Sequence, residues 1–290
     1  MARALLIVNP YASRVSEAGI ERVVGVLGEV DVRRTERPGH ATELAREAAG
    51  VEAIYVFSGD GGFNEVLNGV DGRIPVGFVP GGGASVLPRA LGLPRDPEAA
   101  ARRLLEGRTR RIGLGRVNGR RFGFAAGVGL DAEFVRRVDA HGRTMERGRA
   151  GNVRFAWTAL TVLAEARFKL EPVLEVRGHG RAAFALGANC DPYTYVGALP
   201  LHIAPLATFE DGLDVVGARR LTPGALPRFV TYVLRGRGQE RARDVLYVHD
   251  VDRAEIVCDH PLPLQADGED LGDVTEVVLE AERDAVSVLV

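Results

Sequence analysis

Residues 53–70, AIYVFSGDGGFNEVLNGV, constrain this chain more than any other segment. An unbroken apolar run from Ala53 to Phe57 passes through a glycine-rich turn. Beyond the turn, Phe63, Val66, Leu67 and Val70 recur at i, i+3, i+4 and i+7. An uninterrupted apolar run fits a strand buried on both faces, and the later spacing fits an amphipathic helix. Asn64, Glu65 and Asn68 then share the opposite, polar side of that helix. A buried strand feeding a helix is the unit from which helix-covered parallel sheets are built.

The same rhythm runs through the first third of the chain. Residues 4–8 form another apolar run, and Ile20, Val23, Val24 and Leu27 recur at helical spacing. A strand near 30–34 follows, then a helix over 41–49 with Leu44, Ala45 and Ala48 on one side. Residues 76–79 read as a strand and 97–106 as a helix. The texture changes near Arg111. Asn118-Gly119 between two short apolar runs is a hairpin signal. Strand-like pieces recur at 173–176, 183–187, 254–257 and 274–279, and the chain ends in VSVLV. Helices are expected only around 152–168 and 223–234 in this half. The pattern predicts an α/β protein with a parallel-sheet domain at 1–112 and a mainly β domain at 113–290. The last strand is free to return to the first domain. A cleft between two such halves is a common place for a ligand.

Several classes of function are excluded by composition. A formal net charge of -2 gives no reason to expect nucleic acid as a partner. Lys169 is the only lysine, and no glycine loop precedes it, so the chain has no P-loop. Cys190 and Cys258 lie far apart in apolar surroundings and read as buried free thiols of a reducing compartment. The apolar start is too short for a signal peptide, and no run approaches the length of a membrane span. The expectation is a cytoplasmic protein, at most resting on a membrane surface.

The turn at residues 58–62 carries the chemistry. Gly59, Gly61 and Gly62 let the backbone approach a phosphate with no Cβ in the way. N–H groups at the start of the next helix point at such an anion, and the helix dipole favours it. Asp60 would repel phosphate unless it met Mg²⁺ or accepted a proton. His202, His249 and His260 show no metal-ligand spacing and read as surface or satisfied core residues.

SGDGGFNEVLNG resembles the GGDGTxNEVxNG signature of the diacylglycerol kinase catalytic domain, shared by bacterial lipid kinases and sphingosine kinases. The resemblance runs in order from Asn9 to Glu269. Asn9-Pro10 with Ser13 is similar to an NPxSG-like opening loop, and the segment from Thr35 through His40 to Ala41 to the one before the second helix. VGFVPGGGASVLPRALGLP, with Gly82 and Gly83, stands at GxxPxGTxNDxAR. GVGLDAEFV, APLATFEDGLDVV and QADGED resemble the GxGxDAxV, APxAxxDDGxLDV and DGE elements.

This resemblance implies a nucleotide-binding α/β half and a β-sandwich-like half with the site between them. It implies ATP near Asn9, Pro10, Ser13, Thr35, Ser58, Gly59, Asp60, Gly61, Gly62, Glu65, Gly82 and Gly83. It implies Mg²⁺ at Asp211, Leu213 and Asp60, and a proton acceptor among Asp60, Asp267 and Glu269. The implied reaction is phosphoryl transfer from ATP to the hydroxyl of diacylglycerol or a related lipid alcohol. Such a substrate brings peripheral contact with a membrane, and a homodimer stays open. Two departures stand out: Gly62 where threonine is usual, and Gly83, Ala84, Ser85 and Val86 where Thr-Gly-Asn-Asp is common. The alternatives are an NAD kinase-like enzyme, which shares the GGDG core, and a non-catalytic homologue that binds lipid or nucleotide.

Overall fold

The computed structural model describes residues 4–142 and 170–290, and the chain forms two compact units. The first comprises Met1–Leu114 and Arg283–Val290, the second Gly115–Glu282.

In the first unit, β1 (Ala4–Val8), β2 (Val30–Arg34), β3 (Ile54–Ser58) and β4 (Val76–Pro80) are the apolar runs read from the sequence. β1 pairs parallel with β2 on one side and β3 on the other, and β3 pairs parallel with β4. The chain's last strand runs parallel beside β4, with Val288 opposite Val76. All five residues of β3 and of β4 are buried, as continuous apolar strands covered on both faces require. Ile20, Val23 and Leu27 of α1 (Glu17–Leu27) pack with Leu6, Val8, Phe57, Val79 and Leu104 in one core. Ser16 caps α1 by accepting from the Gly19 N–H at 3.2 Å. Asp96 caps α5 (Pro97–Leu104) by accepting from the Ala99 N–H at 2.9 Å.

Two short helices depart from expectation. α2 (His40–Arg46) stops three residues before the end of the expected 41–49 span. α4 (Val86–Ala90) was not expected: its five residues are too few to show a helical period, and its start is capped by an acid described below. Between them lies α3 (Asp60–Leu67).

The second unit is mainly antiparallel β. β5 (Thr109–Val117) and β6 (Arg120–Phe122) form the expected hairpin, with Asn118 at φ 48° and Gly119 at φ 86°. Both residues with positive φ are what a two-residue turn of this twist demands. β7 (Ala125–Val128) lies between β10 (Ala185–Ala188) and β15 (Arg253–Ala266). β13 (Leu213–Ala218) and β14 (Val245–Val251) continue beyond β10, and β8 (Leu174–Val176) pairs with β15 and β9 (Gly180–Ala182). β11 (Thr194–Val196) and β12 (Leu199–Leu201) form a separate pair. β15 turns at Asp267-Gly268 into β16 (Glu269–Leu289), whose final residues belong to the first unit.

Phe122, Leu174, Leu213, Ile256, Leu264 and Leu279 anchor this unit's core. α6 (Leu130–Gly142) follows β7 where no helix was expected, and α7 (Leu226–Arg235) begins three residues after the expected position 223. The helix expected around 152–168 lies outside the described residues. Cys190 and Cys258 are buried and free.

Candidate functional site

The strand order β2–β1–β3–β4 reverses its direction of travel between β1 and β3. Loops leaving the carboxyl ends of strands at such a reversal are where open α/β sheets hold ligands. Asn9 follows β1 there, and Ser58 ends β3. Asn9 donates its backbone N–H to Phe57 O at 3.0 Å, and its Oδ1 accepts from the Tyr11 N–H at 3.0 Å. The loop after β4 joins them: Gly81 donates to Ser58 O at 2.7 Å, and Arg14 donates to Gly81 O at 2.9 Å.

Gly59 and Gly82 meet backbone to backbone. A Cβ added to Gly82 would stand 2.8 Å from the Gly59 Cα, inside any real contact, so the two loops can approach this closely only through glycine. The structure thus gathers Asn9, Ser58, Gly59, Asp60, Gly61, Gly62, Gly81 and Gly82 at one end of the sheet. Pro10 and exposed Ser13 follow Asn9, exposed Gly83 follows Gly82, and Thr35 leaves β2 buried, donating to Val8 O at 2.8 Å. α3 begins at Asp60, and the N–H groups of its first turn have no carbonyl to bond within the helix. That is the local arrangement an anion needs. The Ser58 hydroxyl is also buried here with no hydrogen-bond partner. Both observations fit a polyphosphate ligand.

Two acids of this loop do more than the sequence suggested. Asp60 Oδ1 accepts from the Val86 N–H at 2.7 Å and the Leu87 N–H at 3.4 Å, capping α4. Its presence in a phosphate-type loop therefore has a structural cause besides metal binding or proton acceptance. Glu65, on α3, reaches the start of α2. Its Oε1 accepts from the Gly39 N–H at 2.9 Å and its Oε2 from the Ala41 N–H at 3.0 Å, so both oxygens hold the start of α2. The Gly39 cap position offers no side chain for that task. Asn64, on the polar side of α3, is fully buried, and the Asn68 side chain donates to its carbonyl O and Oδ1.

The second unit holds the remaining candidates. Asp267, 4% exposed, sits at φ 48° in the β15–β16 turn. Its Oδ2 accepts from the Gly123 N–H at 2.6 Å, and Oδ1 accepts from Phe124 and Ala125 at 2.9 and 3.2 Å. Three backbone donors make it an anchor for the chain entering β7. Glu269, more exposed, pairs with Arg120. Asp211 Oδ2 accepts from the Thr208 hydroxyl at 2.7 Å, within a turn leading to buried Leu213.

Among the described residues no three His, Cys, Asp or Glu side chains gather to hold a metal ion. The Asp211–Leu213 turn contributes one carboxylate, already hydrogen-bonded, and does not form a cage.

A polar network missed by sequence reasoning lies behind the Asp267 turn. Asp131 Oδ1 accepts from the Tyr193 hydroxyl, and its Oδ2 accepts from Gln265 Nε2 at 2.6 Å; Gln265 Oε1 in turn accepts from the Gly268 N–H at 2.9 Å. Burial pushes the Asp131 carboxyl above its usual range, against the pull of these two donors. Burial and the Asp131 charge push the Tyr193 hydroxyl well up. Further along, fully buried Asp214 accepts from the Tyr247 hydroxyl at 2.6 Å and contacts His249 Nδ1 at 2.7 Å. Asp131 and Gln265 had a signal, in the GVGLDAEFV and QADGED motifs, whereas Tyr193 had none.

Comparison with known proteins matches the chain in two successive stretches. Residues 3–117 match the diacylglycerol kinase catalytic domain, and residues 125–290 the YegS C-terminal NAD kinase beta sandwich-like domain. A protein named diacylglycerol kinase from Bacillus subtilis is 29% identical over 286 residues, 93% of this chain and 90% of that protein. One of the same name from Mycobacterium tuberculosis is 32% identical over 205 residues, 66% of this chain and 63% of that protein. The crystal structure of a diacylglycerol kinase from Bacillus anthracis superposes with a TM-score of 0.72 at 19% identity, covering 99% of this chain and 96% of that one. A more distant likeness of fold is to an NAD kinase from Archaeoglobus fulgidus solved with ATP, with a TM-score of 0.50 at 12% identity, covering 99% of this chain and 93% of that one. With both halves matched in order, and the glycine loops of the first meeting at the reversal of its sheet, the chain belongs to the lipid kinase family built on the diacylglycerol kinase catalytic domain.

Proposed function

We propose that this protein transfers the terminal phosphoryl group of ATP to the hydroxyl of diacylglycerol or a related lipid alcohol at a membrane surface. The observation that carries the reading is the junction of the Ser58–Gly62 and Gly81–Gly83 loops. Two glycines touch there, and the first turn of α3 presents its N–H groups. Phosphoryl transfer asks little covalent work of a protein; it needs positioning, charge compensation and a group to take the hydroxyl proton. The α3 N–H groups would hold the phosphates. Mg²⁺, when bound, would offset charge on the transferring group, and Asp60 is the residue to meet it. Asp60 also fixes the second loop through Val86, so one side chain would set both the ion and the loop geometry.

Of the two carboxylates in the DGE element, Glu269 is the better proton acceptor. The oxygens of Asp267 are tied to three backbone N–H groups in a buried turn, whereas Glu269 is only part-buried and pairs with the Arg120 side chain.

The test is transfer of labelled phosphate from ATP to dispersed lipid alcohols, with NAD as a parallel acceptor. Turnover on diacylglycerol or a related alcohol, lost in Asp60→Asn, supports the reading. Asparagine keeps an oxygen for the Val86 N–H, so that variant should fold. Turnover on NAD alone, or tight ATP binding with no turnover on any acceptor, refutes it.

A further inference from the structure

Ser58 carries a hydroxyl that the described protein does not use. The residue is 1% exposed, and its Oγ has no hydrogen-bond partner. Buried polar groups are nearly always paired, so an orphan of this kind asks for a cause.

Its surroundings supply one. A Cβ built on Gly62 would lie 2.1 Å from Ser58 Oγ and 2.8 Å from Ser58 Cβ, with Asn9 Nδ2 at 4.0 Å. The serine side chain therefore fills the space that any side chain at position 62 would need. Glycine is the residue that Ser58 permits there. The sequence SGDGG stands where the resemblance has GGDGT, so glycine and the hydroxyl-bearing residue have changed places across one turn. The apparent loss of a hydroxyl at Gly62 is half of an exchange.

We propose that Ser58 supplies the hydroxyl of the phosphate cradle. Its Oγ donates to a phosphate oxygen of the bound nucleotide from the end of β3, replacing a donor on the first turn of α3. Seating the phosphate requires the glycine turn to shift enough to uncover the Oγ, a movement Gly59, Gly61 and Gly62 allow. The inference rests on the nucleotide reading above. It adds which side chain of this chain grips the phosphate, and why Gly62 accompanies it.

Calorimetric titration with ATP, and with adenosine as a phosphate-free control, on four proteins tests this: wild type, Ser58→Ala, Gly62→Thr and the double variant Ser58→Gly/Gly62→Thr. Thermal unfolding is measured on each. Loss of a hydrogen bond to a charged group should weaken ATP binding by Ser58→Ala about tenfold or more, with adenosine binding and melting temperature unchanged. Gly62→Thr alone should melt lower and bind poorly. The double variant should regain both stability and ATP affinity.

Ser58→Ala binding ATP as wild type does would overturn the proposal, as would equal losses for ATP and adenosine. A double variant no better than the worse single variant would overturn the exchange. Wild type that binds no ATP at all would instead remove the nucleotide reading, and this inference with it.

Discussion

Replacing Asp267 by asparagine separates two roles that one carboxylate could play. Oδ2 takes the Gly123 N–H, and Oδ1 takes those of Phe124 and Ala125. Asparagine retains one oxygen, best kept against the two donors, and turns an amide NH₂ toward Gly123. One charge-assisted bond is lost, one buried N–H is left facing another donor, and the surviving two bonds become neutral. A bond to a charged group contributes about 1.5–3 kcal/mol, so the whole change should cost roughly 2–4 kcal/mol. For a unit of this size that lowers the melting temperature by about 5–15 °C. Asparagine tolerates the φ of 48° at this turn, so backbone strain adds little. Alanine would strand all three donors at about 1–3 kcal/mol each, comparable to the 5–15 kcal/mol of a whole domain, and is expected not to fold.

Circular dichroism melts of Asp267→Asn and Glu269→Gln, beside ATP affinity and lipid phosphorylation, give the readout. The expectation is a large stability loss for Asp267→Asn with nucleotide affinity retained. For Glu269→Gln it is a stability loss smaller than that of Asp267→Asn, with phosphorylation abolished, since its pair with Arg120 is only part-buried. An Asp267→Asn protein that melts like wild type yet transfers no phosphate would refute the argument: the aspartate would then act in the chemistry and not as an anchor.

Three further outcomes follow from contacts described above. Glu65→Ala frees the Gly39 and Ala41 N–H groups of α2 and should destabilise by about 1–3 kcal/mol in thermal or urea unfolding; a neutral result would mean α2 finds another cap. Gly82→Ala drives a methyl against the Gly59 Cα and should lower both stability and ATP affinity, whereas Gly83→Ala, in open space, should leave stability unchanged; the pair is compared by melting and titration. Burial pushes the Glu282 carboxyl up, but hydrogen bonds and charge from Arg121 and Arg116 outweigh it and hold it below 4.5. The stability it contributes is then complete above that value and lost as pH falls through the depressed one. Glu282→Gln should therefore cost about 1 kcal/mol at pH 7, and its deficit should close in melts at acidic pH.

What could be read from the sequence and what could not divide along one physical line. β1, β3, β4 and α1 are written in local apolar periodicity, and the Asn118-Gly119 turn in the backbone preferences of two residues. The glycine turn before α3 was equally local. The tasks of individual polar side chains were not, because their partners are remote. Asp60 reaches a backbone N–H 26 residues away, Glu65 reaches one 26 residues back, and Asp267 reaches Gly123 across 144 residues. A carboxylate that caps a distant helix looks, in one dimension, the same as one that meets a metal. Ser58 and Gly62 lie close in the sequence, yet the exclusion of a side chain at Gly62 by Ser58 appears only in three dimensions.

The return of the final strand to the first sheet has a consequence for how the protein is made. Val286, Val288 and Leu289 are buried in the first unit, and Val290 donates to Arg108 O at 2.9 Å. During synthesis the first 114 residues emerge with β4 unpaired along one side, an open sheet margin and a source of unwanted association. That margin closes only when residues 283–290 leave the ribosome, after the whole second unit. The first unit is thus completed only after the second has been translated. A nascent chain stalled before Arg283 would be held in a state that chaperones and proteases can recognise.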